Sequence, residues 1–171
     1  RRQRQMCIRD RSKVGCLPEG RQTRDWRTGE VLSDITYGDT VRTEYGFPYY
    51  HVHRADLVEA LAAAADANPH VTLRTNARVE QIEHYEDGAG VVVEGRCHPG
   101  SLVVGADGIH SAVRASLFGP EAPTYTGNVA WRGLVPAERL PEGFVRPVSS
   151  SWWGPGSHFV HYYVRGGALV N

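Results

Sequence analysis

One stretch constrains the fold more than any other: Gly105-Ala106-Asp107-Gly108-Ile109-His110-Ser111-Ala112-Val113-Arg114. The apolar run before it, Ser101 to Gly105, predicts a short buried strand. His110 to about Phe118 predicts a helix, ended by Gly119-Pro120. A strand that turns straight into a helix presents backbone N–H groups and the positive helix end, which suits an anion. Glycine lets the backbone approach a ligand closely, which makes Gly108 a candidate contact. Asp107 can accept hydrogen bonds from neighbouring N–H groups or from a ribose. The same residues also describe a plain capped helix after a tight turn.

Composition narrows the field. Hydrophobic residues make up 41% of the 171, enough for a real core. Nineteen basic residues balance nineteen acidic ones, so the basic excess of a nucleic-acid binder is missing. No apolar run approaches the ~18–20 residues that span a bilayer. Cys7, Cys16 and Cys97 form no CxxC pair, and an odd count argues against a disulfide framework. The expectation is a soluble, cytoplasmic, mixed domain. Arg1 to Ser12 (RRQRQMCIRDRS) stands apart. It reads as foreign sequence similar to adaptor read-through, ahead of a basic interaction arm or a transit-like leader. Without its five arginines and one aspartate the net charge is −4.

From Lys13 to Tyr50 the pattern is β-like, with turns at Arg27-Thr28-Gly29-Glu30 and at Gly38-Asp39. Arg54 to about Ala67 predicts a helix, with Leu57, Leu61, Ala64 and Ala65 on one face and Asn68-Pro69 as its stop. His70 to Thr75 predicts a short strand. Val79 to Tyr85 and Val91 to Val93 predict a hairpin around Asp87-Gly88. After Pro123 the chain is β-like again. The two flanking β-like segments, 13–50 and 122–171, are expected to pair into one mostly antiparallel sheet.

GADGIHSAVR, with the preceding VV, resembles the DG motif of flavin-dependent aromatic hydroxylases, the family of para-hydroxybenzoate and salicylate hydroxylases. His53-Arg54-Ala55-Asp56-Leu57 is similar to that family's arginine at a helix start, some fifty residues earlier. Trp131-Arg132-Gly133-Leu134 and WWGPGSHFVHYYVRGG are similar to the substrate domain of its salicylate and 3-hydroxybenzoate branch. The resemblance implies an α/β fold with α+β character: a partial FAD/NAD(P)-binding, Rossmann-like domain and a β-sheet substrate domain. It implies FAD as cofactor, with Arg54 near the pyrophosphate or ribityl chain, Asp107 and Gly108 supporting the dinucleotide site, and the Val79 backbone meeting the adenine.

No GxGxxG is present, and Gly88-Ala89-Gly90 lies on a hairpin rather than between strand and helix. The family's C-terminal GD pair is missing as well. The chain is therefore expected to be an internal fragment. Its expected parts are a leader at 1–12, a substrate-domain segment at 13–50, part of the FAD domain at 51–121 and a substrate-domain sheet at 122–171.

Hydroxylating a phenol is easier once it is a phenolate, so the site needs a group that takes or relays a proton from a phenol of pKa ~10. Histidine, with a pKa of ~6.5, suits the task. In SHFVHYYV, period-2 geometry places His158, Val160 and Tyr162 on one face and Phe159, His161 and Tyr163 on the other. A His and a Tyr at the spacing of His158 and Tyr162 occupy the substrate pocket in the resembling branch. His158 and Tyr162 are accordingly the expected catalytic pair, ahead of His161. No metal site is expected.

The leading functional reading is an FAD monooxygenase acting on a small aromatic acid with NADH or NADPH and O₂, with neither nucleic acid nor membrane as partner and a homodimer as an open option. A non-hydroxylating flavin oxidoreductase of the same fold is the second reading. A cofactor-free β-rich binding module, in which the DG turn is only structural, is the third.

Overall fold

The computed structural model describes residues 14–171, so the reading of Arg1–Ser12 falls outside the described residues. These residues divide into two compact units: those up to Thr72 together with Trp131–Asn171, and Leu73–Ala130. The architecture is mixed α/β, with several sheets and few helices.

In chain order the elements begin with β1 (Gly15–Cys16), β2 (Gly20–Asp25), β3 (Val31–Thr36), α1 (Gly38–Tyr45), β4 (His51–Val52) and α2 (Arg54–Asp66). The middle of the chain forms β5 (Val79–Tyr85), β6 (Gly88–Val93), β7 (Arg96–Gly100) and α3 (Ala112–Phe118). The last part forms β8 (Val135–Pro136), β9 (Ser149–Gly154), β10 (Ser157–His161), β11 (Tyr163–Val164) and β12 (Leu169–Val170).

The first unit holds a four-stranded sheet in the order β10-β9-β2-β3. Its β10·β9 and β2·β3 pairs are antiparallel and its β2·β9 pair is parallel. Strands from both flanking segments thus share this sheet, but the pair that joins the two segments, β2·β9, is parallel and their remaining strands form other sheets, so the expected single antiparallel pairing is met only in part. The β2–β3 turn forms where Arg27-Thr28-Gly29-Glu30 predicts it. The Asp25 carboxylate accepts from the N–H groups of Arg27 and Thr28, both at 2.8 Å, and Gly29 takes φ +73°. Beside this sheet, β1 pairs with β4, and β11-β12-β8 form a third small sheet. The buried apolar residues here are Val145, Val148, Val164 and Val170. Gln22 and Ser150 are buried with them.

Helix α2 spans Arg54–Asp66, in agreement with its alanine-rich sequence. Gly38-Asp39, read as a turn between strands, instead opens helix α1. Thr, Val and Tyr in GDTVRTEY favour strands, but Asp39 in the first turn and left-handed Gly46 at the C-cap (φ +75°) favour a closed helix.

The second unit is an antiparallel meander, β5-β6-β7, with α3 packed against β5. The hairpin at Asp87-Gly88 forms as expected, and β7 adds a third strand. Ile82 and Val93 are its buried apolar residues. The strand expected at Ser101–Gly105 does not form; Leu102 and Val104 are exposed. His70–Thr75 likewise forms no strand. A strand exists only against a neighbour that takes its N–H and C=O groups, and among the described residues neither segment has one.

Candidate functional site

In the second unit the DG turn is organised by Asp107. Its Oδ1 accepts from Ser111 Oγ at 2.5 Å, and its Oδ2 accepts from the N–H groups of Ala112 at 2.6 Å and Val113 at 3.3 Å. Ser111 Oγ then accepts from Arg114 N–H at 2.9 Å, capping α3. Hydrogen bonding, first of all from Ser111, lowers the Asp107 pKa below the ordinary carboxylate value. This corrects the expectation of a free helix end, since the N–H groups of Ala112, Val113 and Arg114 are already taken inside the turn. The N–H groups of Gly108, Ile109 and His110 make no hydrogen bond among the described residues, and all three residues are exposed.

Two glycines are required here. Gly108 has φ +78°, a conformation that costs other L-residues energy. A side chain at Gly105 would put its Cβ 2.8 Å from Val113 Cβ. Val79 begins β5, half-buried and paired with Val93, with a bulge just after it. Arg114 forms an ion pair with Glu121.

In the first unit, Arg54 opens α2 and is exposed; among the described residues its guanidinium has no hydrogen-bond or ion-pair partner. Two positions later the buried Asp56 is gripped by Arg165. The Arg165 Nε donates to Asp56 Oδ2 at 2.9 Å and its Nη2 to Oδ1 at 2.5 Å. His53 Nδ1 lies 3.4 Å from Asp56 Oδ1. The Arg165 hydrogen bonds hold the Asp56 pKa below the ordinary carboxylate value and raise that of Arg165 in turn. Sequence reading missed this cluster. One signal was available: His53 and Asp56 stand three apart at a helix start and share a face.

The strand carrying the expected catalytic pair is divided. β10 ends at His161, and Tyr162 exchanges both backbone hydrogen bonds with Asn171, at 3.2 and 2.9 Å. His158 is exposed on β10 opposite Trp153. Tyr162 is half-buried, with its ring 4.3 Å from that of His51 and tilted by 40°. Tyr49 meets the same imidazole edge-on at 5.4 Å. The described contacts of Tyr162 thus run to His51 and Asn171, and His158 is absent from them. His51, a residue missed by the sequence reading, is buried, and its pKa falls to about 4 because burial disfavours the charged form. His161 accepts from Trp152 Nε1 at 3.0 Å, which leaves the proton on its buried Nδ1, without a partner among the described residues. Burial, and then the nearby Arg24 charge, lower its pKa. No cluster of three metal-binding side chains occurs among the described residues.

No family model matches the chain. It is 34% identical over 148 residues to 3-hydroxybenzoate 6-hydroxylase 1 of Aquipseudomonas alcaligenes, covering 86% of this chain and 38% of that protein. It is 38% identical over 155 residues to 3-amino-4-hydroxybenzoate 2-monooxygenase of Streptomyces cremeus, covering 88% of this chain and 37% of that protein. The chain therefore spans a little under two-fifths of the curated relatives it matches. Among solved structures, a salicylate hydroxylase substrate complex is similar in fold, with TM-score 0.69 at 20% identity, covering 94% of this chain and 41% of that one. HpxO of Klebsiella pneumoniae, complexed with FAD and uric acid, is similar at TM-score 0.68 and 21% identity, covering 96% and 44%. With the DG turn and the HRADL helix start in place, and identities of 34% and 38% over most of its length, the chain is similar to these aromatic-acid hydroxylases over the part of them that it spans.

Proposed function

We propose that the protein is an FAD-dependent monooxygenase that hydroxylates a small aromatic acid, using NADH or NADPH as reductant and O₂ as oxygen source. The observation that carries this reading is the match over most of the chain to two hydroxybenzoate-type oxygenases. The residues present fit the cofactor. Exposed Arg54 offers a cation for a phosphate, and the glycine turn at Gly108 offers N–H groups, neither with a partner among the described residues. Arg54, Val79, Asp107 and Gly108 would hold FAD, with Asp107 acting through the shape of the turn. When bound, the flavin supplies an electrophilic oxygen to an electron-rich ring.

This chain's own part is to hold the ring and manage its proton. His158 accepts or relays the phenolic proton, and Tyr162 orients the same ring. The exposure of His158 leaves its imidazole open to substrate and to water, as a relay requires. No described helix is long and apolar enough to cross a membrane. Free Cys16 and Cys97 suit the reducing cytoplasm, where we place the protein. A homodimer would cover part of its exposed apolar surface, such as Phe118.

The test is a panel of hydroxybenzoates given to the purified holoprotein, with NAD(P)H oxidation, O₂ uptake and product mass followed together. Substrate-dependent uptake of O₂ with one oxygen atom added to the ring is the expected result. Reductant oxidation with no oxygenated product from any member of the panel would leave only a non-hydroxylating flavin oxidoreductase.

A further inference from the structure

Tyr162, the side chain proposed to orient the substrate ring, is held unevenly. Its backbone is pinned by the two hydrogen bonds that it exchanges with Asn171, at 3.2 and 2.9 Å. Its side chain has no such anchor. Among the described residues the Tyr162 hydroxyl makes no hydrogen bond, whereas that of neighbouring Tyr163 donates to the Val145 carbonyl at 3.0 Å. The last torsion of a tyrosine is soft, so a ring with a free hydroxyl takes its direction from what packs against it. For Tyr162 the one ring-to-ring contact among the described residues is His51, with centroids 4.3 Å apart and a tilt of 40°.

His51 suits that task because it is itself held. It is 7% exposed, and its backbone is paired with Cys16 in the β1·β4 ladder. Tyr49 meets its imidazole edge-on at 5.4 Å, and Tyr37 meets Tyr49 in turn at 5.3 Å and 68°. Four rings thus form a continuous series, from Tyr37 at the entry to α1 through Tyr49 and His51 to Tyr162. Edge-on contacts between rings are favourable and directional, so the outer two tyrosines help to set the angle of the imidazole. Burial keeps that imidazole neutral down to about pH 4, and its contact with Tyr162 does not change charge near neutral pH.

We infer that His51 is the positioning residue for Tyr162: backed by Tyr49 and Tyr37, it fixes the angle at which the Tyr162 ring and its free hydroxyl meet the aromatic substrate. The inference rests on the proposed function, which seats the substrate ring on His158 and Tyr162, and it adds what holds one of the two in place. His51 acts through Tyr162 rather than on the substrate itself.

The experiment compares His51→Leu with His51→Phe in the FAD-loaded protein. Both fill the space with an uncharged side chain, and only Phe supplies a ring. The dissociation constant of 3-hydroxybenzoate is read from flavin absorbance, and the ratio of hydroxylated product to NAD(P)H oxidised is read in turnover. His51→Leu is expected to weaken 3-hydroxybenzoate about three- to tenfold, the worth of one aromatic contact, and to lower the product ratio. His51→Phe is expected to stay within about twofold of the parent in both, since the ring contact is kept. On a Tyr162→Leu background, His51→Leu is expected to cost nothing further, because the ring it positions is gone. Equal effects of His51→Leu and His51→Phe overturn the inference, and so does a His51→Leu loss that persists in full without Tyr162. Where His51→Leu does not fold, Tyr49→Leu, at an exposed residue, takes its place. Weaker binding only while Tyr162 is present then supports the inference, and any other result overturns it. Failure of the parent protein to oxygenate any hydroxybenzoate overturns the proposed function instead, so the two failures are told apart.

Discussion

Arg165 clamps Asp56 across 109 positions of sequence, its Nε and Nη2 each donating to a separate oxygen of the carboxylate. Two parallel charge-assisted bonds fix the start of helix α2 against the turn that follows β11. The same helix start presents Arg54, so the clamp bears on where the proposed phosphate partner stands.

Breaking that clamp should destabilise the first unit. Asp56 is buried, so Arg165→Ala leaves a carboxylate unpaired and should lower the melting midpoint by several degrees. Arg165→Lys should recover only part of the loss, because an ammonium cannot form the fork. The pair depresses the Asp56 pKa, so its contribution is present above the ordinary carboxylate range and is lost as pH falls through the depressed value. Melting curves of parent and Arg165→Ala proteins should therefore converge in acid. Curves that stay parallel to the lowest pH would remove the clamp from the account.

Asp107 should matter first as the organiser of its own turn. Asp107→Ala removes the acceptor used by the N–H groups of Ala112 and Val113, and hydrogen exchange at those two amides should accelerate. Asp107→Asn, with one carbonyl oxygen left, should show a smaller acceleration. Unchanged exchange in Asp107→Ala would mean that α3 is capped by other groups.

Gly105 tests packing in the same turn. Gly105→Ala drives a methyl group to 2.8 Å from Val113 Cβ and should cost about 1–3 kcal/mol. Val113→Ala removes only that residue's γ-methyls, so the double variant should regain part of the loss. A double-mutant cycle with no coupling would show that the backbone moves aside instead.

The proposed proton relay at His158 can be tested directly. In the holoprotein, His158→Ala should reduce the hydroxylation rate by ~10²–10⁴-fold with FAD content intact. His161→Ala should cost much less, because that imidazole is already bonded to Trp152. If His161→Ala proved the damaging change, the reactive face of β10 would be the one carrying Phe159 and His161.

Burial of His51 has a signature in pH. Its pKa is about 4 in the fold against ~6.5 in an unfolded chain. Below that upper value the unfolded state takes up a proton that the folded state refuses, so stability should fall as pH drops from ~6.5 toward 4. His51→Phe cannot titrate and should flatten that part of the curve, which thermal melts at intervals of pH would reveal. An identical decline in His51→Phe would assign it to other groups.

Local chemistry alone determined the hairpin at Arg27–Glu30, helix α2, the hairpin at Asp87-Gly88 and the turn before α3, because each depends on neighbours within a few residues. A glycine that takes positive φ or an alanine run that favours helix acts wherever the segment lies. The motif Gly105–Arg114 and the HRADL helix start were legible for the same reason. Tertiary structure decided the rest. His70–Thr75 and Ser101–Gly105 read as strands, but a strand is a property of two segments, and neither finds a neighbour among the described residues. The run HFVHYYV reads as one strand, yet the backbone exchange between Tyr162 and Asn171 divides it between two sheets. The pairing of Cys16 with His51 and of Asp56 with Arg165 joins residues 35 and 109 positions apart. No periodicity encodes such pairs, because the distance that brings them together is fixed only when the sheets close.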